Sequence, residues 1–238
     1  MQTVRLRALA LSLAGPEPAG GPRAGWHWIS TWMHAIELAD DVLIEPLAES
    51  SDAVSTWSAR WAPDAIRPCV IDWPPERDLA WRALRAVEAH VGRPLPTRLV
   101  LTKRIPTGAG LGGGSADAGA TLLAVNQAWS LGLGVDVLQT LGATLGSDVP
   151  FFVDTPGTGS DAPGPAVVGG FGEAIERTPC AAGELVLMVP AFGCATGSVY
   201  RAFDEAVAAG HGGTLEAERI ETLARRGTVD PSALWNDL

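Results

Sequence analysis

Lysine is nearly missing from this chain: Lys103 is the only one, set against 27 aspartate and glutamate residues. The formal net charge is −10, which argues against a nucleic-acid backbone as partner, because such sites are basic. Cysteine is scarce too. Cys69, Cys180 and Cys194 stand far apart, with no metal-ligand spacing and no even framework, and they read as reduced core thiols of a cytoplasmic protein. No stretch is long and apolar enough to span a membrane. The N-terminal segment alternates Arg5 and Arg7 with apolar residues up to Leu13. Its apolar run is too short for a signal peptide and no clear cleavage site follows, so it reads as a strand.

Glycine, by contrast, is concentrated. Five of the seven residues from Gly108 to Gly114 are glycines, in Pro106-Thr-Gly-Ala-Gly-Leu-Gly-Gly-Gly-Ser115. Glycine adopts positive φ and lets a backbone approach a ligand closely. The segment 99–102 before the loop reads as a strand. The segment 116–129 after it has apolar Ala118, Leu122, Val125 and Trp129 at helical spacing. Ser115 is placed to cap that helix. Free N–H groups at a helix start, with the positive end of the dipole behind them, form a phosphate cradle. Lys103 stands directly before the loop and points to a polyphosphate, most simply ATP. The competing readings are a flexible glycine turn and an ordinary strand-end lysine. The loop lacks the Gly-Lys-Ser/Thr ending of a Walker A motif and the acidic ribose partner of a dinucleotide fingerprint.

The remaining pattern predicts strands at 4–13, 28–38, 41–47, 53–61, 166–175 and 184–189. It predicts helices at 76–91, 136–145, 198–209 and 215–225. Residues 155–165 are rich in Gly, Pro, Ser and Asp and read as a linker or flap. Strands followed by helices on one face suggest an α+β fold. Trp57, Trp61, Trp81 and Trp129 read as packing residues.

The stretch from Lys103 to Ala118 resembles the ATP loop of the GHMP small-molecule kinases. Gly25-Trp-His-Trp-Ile-Ser-Thr31 is similar to a substrate motif of that family, and Leu145-Gly-Ser-Asp-Val-Pro-Phe151 to its catalytic segment. Gly170-Phe-Gly-Glu173 and the stretch from Val189 to Tyr200 also find counterparts. The likeness is strong from about residue 25 to 200. It implies a two-lobed fold with a ribosomal-protein-S5-domain-2-like first lobe at 1–155, the start of a second lobe at 166–238, and ATP and substrate in the cleft.

Within the family the chain is most similar to kinases of a cytidine-diphosphate-linked polyol in isoprenoid precursor synthesis. That likeness implies ATP and Mg²⁺ and a small-molecule substrate, while the net charge and the lack of a long apolar stretch speak against a nucleic-acid or membrane partner. It places the nucleotide on Lys103, Pro106, Gly108, Ala109, Gly110, Leu111, Gly112, Gly113, Gly114 and Ser115, with Ser115 also holding the metal. It makes Asp148 the base that accepts the substrate's hydroxyl proton; from the sequence alone, an Asx-turn aspartate is the competing reading. It places a cytosine ring between Trp26 and Tyr200, with His27 and Thr196 nearby; the plain alternative is core packing for the aromatics and a surface loop for His27. Asp117 reads as a first-turn acid that favours the helix dipole.

Two departures stand out. The family carries Lys-x-Asn in its first strand, and this chain has Arg5-Leu-Arg7. Arg5 takes the lysine's place and Arg7 the asparagine's, or the register slips by one residue and each points to the opposite face. Arginine stabilises negative charge but does not give up a proton. The chain also stops at Asn236-Asp237-Leu238, where the family continues to a further glycine-rich motif, so the second lobe reads as incomplete. Two alternatives follow: a catalytically impaired nucleotide-binding paralogue or fragment, and a GHMP kinase for another small alcohol.

Overall fold

The computed structural model describes residues 2–19, 23–48, 53–154, 162–181, 186–189, 193 and 195–238, with side chains from residue 10 onward. They group into two compact units: residues 1–6, 36–107 and 111–163, and residues 7–35, 108–110 and 164–238. The second therefore takes in residues 7–35 as well as the expected C-terminal segment.

In the first unit, the later half of strand β2 (His27–Pro46) pairs antiparallel with β4 (Thr97–Lys103), Asp41 opposite Thr102 and Pro46 opposite Thr97. Strand β3 (Thr56–Trp61) runs parallel to β4, with helix α1 (Leu79–Val91) in the connection. Period-two alternation along β4 buries Thr97, Leu99, Leu101 and Lys103 on one face. Asp78 caps α1, its carboxylate accepting from Ala80 N and Trp81 N, and Gly92 at φ 69° ends it. Helices α2 (Gly113–Ala128) and α3 (Val135–Ala143) complete the layer. Ala83, Leu84, Val87, Leu95, Leu122, Val125 and Leu138 form its core, with Trp81 and Trp129 packed against them. Each buried leucine contributes about 1.5–3 kcal/mol.

Two expectations change here. The break between strands at 38 and 41 does not exist: β2 is continuous, and Asp40 within it is 0% exposed. Helix α2 begins three residues before the expected start at Ala116. Its N-cap is Gly112 at φ 66° with no side-chain cap, so Ser115 lies inside the first turn. The segment after Asp148 is a 3-10 turn, Val149–Phe152. Pro150 fixes φ in that turn and Val149, Phe151 and Phe152 are buried. Gly119 of α2 allows the close approach: a Cβ there would lie 2.6 Å from Phe152 Cβ.

Strand β1 (Gln2–Pro16), whose residues from Arg7 onward belong to the second unit, pairs with β2, and the hairpin between them closes with Glu17 N donating to Trp26 O at 2.7 Å. The early half of β2 pairs antiparallel with β5 (Ala166–Gly170), Ile29 opposite Gly170 and Met33 opposite Ala166. The strand expected at 166–175 is a hairpin of β5 and β6 (Ala174–Arg177). Gly170 at φ 70° and Gly172 at φ 111° make its turn, and Glu173 Oε2 accepts from Phe171 N at 2.7 Å.

Helices α4 (Thr196–Ala208) and α5 (Ala217–Arg226) follow. Trp32, Ile220, Leu223 and Ala224 form the core with Ala10. The last residues lie along β1: Leu11 N donates to Trp235 O at 3.1 Å and Leu13 N to Asp237 Oδ2 at 2.8 Å. Residues 186–189 carry no strand, unlike the expectation for 184–189. Most of the linker expected at 155–165 lies outside the described residues, as does Cys194. Cys69 and Cys180 are exposed thiols and not core residues. No described helix is long and apolar enough to cross a membrane.

Candidate active site

The glycine loop leaves β4 at Lys103 and enters α2 at Gly113. Gly108, Gly110 and Gly112 sit at φ 70°, 65° and 66°, a left-handed conformation that costs other residues roughly 1–2 kcal/mol each. Among the described residues, nothing lies within 4 Å of where a Cβ would stand at Gly108 or Gly110. Thr107 to Gly110 are exposed, while Pro106 and Leu111 are buried anchors. Gly113 is small for another reason: a Cβ there would lie 2.7 Å from Ile105 Cγ2. The N-terminus of α2 has no side-chain cap, so its leading N–H groups and the dipole are presented to the loop.

Lys103 has a different place from the one expected. It is 5% exposed, and its ammonium donates to Asp40 Oδ2 at 2.5 Å and to Asp117 Oδ2. Burial alone would lower its pKa, but the charges of Asp117 and Asp40 outweigh burial and hold it raised and protonated. Its charge is thus neutralised inside the protein. Asp117 is not the first-turn acid expected: α2 starts at Gly113, which puts it in the second turn, buried beside Lys103. Burial pushes its carboxyl up to about 7 against the pull of Lys103, with Asp40 adding to the rise. The next cation, Arg104, is engaged by Asp41 at 2.8 Å and Asp64 at 3.1 Å.

Asp148 is half-buried at the head of the 3-10 turn. Burial raises its pKa, and Ser147 Oγ, donating to Asp148 Oδ1 at 3.3 Å, favours the ionised form. The turn rests on α2 and α3, so the helix that starts at the loop also supports this carboxylate. Arg5 lies in β1, but its side chain falls outside the described residues.

The second unit holds the aromatic residues. His27 is 8% exposed, and its Nε2 lies 2.6 Å from Asp204 Oδ1. Its ring centroid is 4.8 Å from that of Tyr200, tilted by 51°, and 5.7 Å from that of Phe203, edge-on. Thr196, Tyr200 and Asp204 follow one another at intervals of four along one face of α4. Trp26 is 50% exposed and meets the edge of Phe171 at 6.2 Å. Arg23 lies over Phe171 at 4.6 Å and pairs with Glu173 at 3.4 Å. Sequence reasoning missed Asp204 and Phe171. The interval of four from Tyr200 was the available signal for the first, and the Gly170-Phe-Gly-Glu173 motif for the second.

Residues 78–155 match the family described as GHMP kinases N terminal domain. A solved structure titled 4-(cytidine 5'-diphospho)-2C-methyl-D-erythritol kinase aligns with a TM-score of 0.66 at 28% identity, covering 100% of this chain and 74% of that one. Residues 78–155 are thus similar to the N-terminal domain of the GHMP kinases, and the α+β fold expected from the order of strands and helices is borne out.

Among curated proteins it is similar to the 4-diphosphocytidyl-2-C-methyl-D-erythritol kinases. It is 36% identical over 197 residues to that of Pelotomaculum thermopropionicum, covering 82% of this chain and 60% of that protein. It is 36% identical over 182 residues to that of Bacillus subtilis, covering 75% of this chain and 55% of that one. The chain thus spans three fifths or less of the length of these two relatives.

Proposed function

We propose that this protein is an ATP-dependent kinase that phosphorylates a hydroxyl of 4-diphosphocytidyl-2-C-methyl-D-erythritol, in the non-mevalonate route to isoprenoid precursors. The observation that carries the reading is the loop: three left-handed glycines, open space at two of them, and an uncapped helix start behind. That arrangement suits the phosphates of ATP, which supplies the γ-phosphoryl group. The backbone N–H groups of residues 108–115 bind the polyphosphate and orient it, since phosphoryl transfer is catalysed mainly by positioning and electrostatics.

Mg²⁺ would be held by the nucleotide's own phosphates and the Ser115 hydroxyl, where it would offset phosphate charge. The described residues contain no group of three or more His, Cys, Asp or Glu able to hold a metal. Asp148 accepts the proton of the attacking hydroxyl; its raised pKa brings its basicity closer to neutral pH. Arg5, in place of the family's first-strand lysine, supplies positive charge. Trp26 and Tyr200 offer aromatic faces to the cytosine, with His27 and Thr196 as hydrogen-bonding neighbours.

The reading is tested by following ADP formation with 4-diphosphocytidyl-2-C-methyl-D-erythritol, mevalonate or homoserine as acceptor. ADP formed with the cytidyl substrate alone supports it. ADP formed equally with the others contradicts the cytidine assignment, and binding of ATP with no transfer to any acceptor favours a non-catalytic nucleotide-binding protein.

A further inference from the structure

One buried carboxylate holds the start of the glycine loop. Asp40 Oδ1 accepts from Arg104 N at 2.5 Å and from Ile105 N at 2.8 Å. Asp40 Oδ2 accepts from Lys103 Nζ at 2.5 Å. A carboxylate at 0% exposure is costly unless paired and hydrogen-bonded, and here it is both. Lys103 in turn reaches Asp117 in α2, the helix that leaves the loop. Ile105 is fixed a second time through its side chain, which Gly113 approaches so closely that a Cβ would stand 2.7 Å away. Three chain segments thus meet at the base of the loop: β2 through Asp40, the end of β4 through Lys103, and α2 through Asp117 and Gly113.

We infer that Asp40 is a positioning residue for the phosphate loop, fixing the backbone at residues 104 and 105 while Lys103 maintains its charge inside the protein. The inference rests on the reading that residues 108–115 bind ATP. Backbone donors bind phosphate well only when they are ordered beforehand, because a loose loop must be ordered at the expense of affinity. The lysine beside the loop therefore serves the nucleotide at one remove. It is the counter-charge that lets a carboxylate hold two amides in a place water does not reach.

Two variants isolate this role. Asp40→Ala and Asp40→Asn both leave Lys103 and Asp117 as a charge-balanced pair, but only Asn retains an oxygen for the two amides. The Asp40→Ala variant should bind ATP about tenfold more weakly by calorimetry, with turnover at saturating ATP near wild type. The Asp40→Asn variant should stay within about threefold of wild type. In the ligand-free protein, amide exchange at Arg104 and Ile105 should be slow in wild type and Asp40→Asn and fast in Asp40→Ala. Wild-type ATP affinity in a folded Asp40→Ala variant would overturn the inference, as would an equal loss in Asp40→Asn. Unprotected amides at 104 and 105 in the wild type would overturn it too, and that measurement needs no variant to fold. If the wild type itself binds no ATP, the nucleotide reading fails, while the exchange comparison still decides whether Asp40 fixes the loop.

Discussion

His27 Nε2 lies 2.6 Å from Asp204 Oδ1, across 177 residues of sequence. The carboxylate accepts from that nitrogen and so fixes both the orientation and the tautomer of a ring that packs against Tyr200. Removing it frees the ring beside the proposed cytosine site. Asp204→Ala should weaken cytidine diphosphate binding about tenfold, or ~1.4 kcal/mol, and Asp204→Asn, which keeps an acceptor, should weaken it less. Tryptophan fluorescence titration measures both. Equal affinities in wild type and Asp204→Ala would remove Asp204 from the site.

The glycines of the loop separate by substitution. Gly110 sits at φ 65° in open space and Gly113 packs on Ile105. Gly110→Val should abolish ATP binding, with strain of roughly 1–2 kcal/mol in the loop. Gly113→Ala should lower the melting temperature and weaken ATP binding only in part, because the new methyl group forces Ile105 to move while the backbone donor remains. Calorimetric ATP titration and thermal unfolding of both variants check the contrast, which fails if the two behave alike.

The buried cluster of Asp40, Lys103 and Asp117 carries one more negative charge than positive. Asp117, pushed up to about 7 by burial, binds a proton in the folded state that the unfolded chain has released above about pH 4. Its contribution therefore makes stability fall as pH rises between those values. Lys103, held above its ordinary value, opposes this with a contribution present at neutral pH and lost only at strongly basic pH. Asp117→Asn should accordingly melt higher than wild type at pH 8, with the difference shrinking towards pH 5. A variant less stable than wild type at pH 8 would mean that the ion pair outweighs the excess charge.

Much of this architecture was legible in the sequence, because strand, loop and helix follow one another locally from Leu99 to Val125. The errors came from distance. Lys103 looked like a phosphate ligand because its partner Asp40 lies 63 residues earlier. The alternation Leu99, Leu101, Lys103 already placed it on the buried face. Ala39-Asp40 looked like a break between strands, since an aspartate favours a turn unless a buried cation waits for it. The hairpin at Gly170 was missed because a run of β-formers was read through two glycines whose positive φ makes the turn. Ser115 was a reasonable cap by residue type, yet Gly112 ends the loop earlier in a conformation serine avoids.

As the proposed base, Asp148 would tie the chemistry to pH. A base must be ionised, so activity should fall as pH drops through the Asp148 pKa, which burial has raised above the ordinary carboxylate value. Ser147→Ala removes the hydroxyl that favours the ionised form and should move the acid limb of the rate profile to higher pH. An unmoved limb would assign that limb to another group.

The most direct measurement follows the phosphorus atoms themselves. Wild-type protein and Asp148→Asn are each mixed with ATP, Mg²⁺ and 4-diphosphocytidyl-2-C-methyl-D-erythritol, and phosphorus NMR records whether a new phosphomonoester appears as ADP forms. The account predicts a phosphomonoester on the cytidyl substrate with wild type. With Asp148→Asn it predicts a rate lower by about 10²–10⁴-fold while ATP still binds. An equal rate in the two proteins would contradict the role of Asp148, and ADP with no phosphomonoester would contradict the kinase itself.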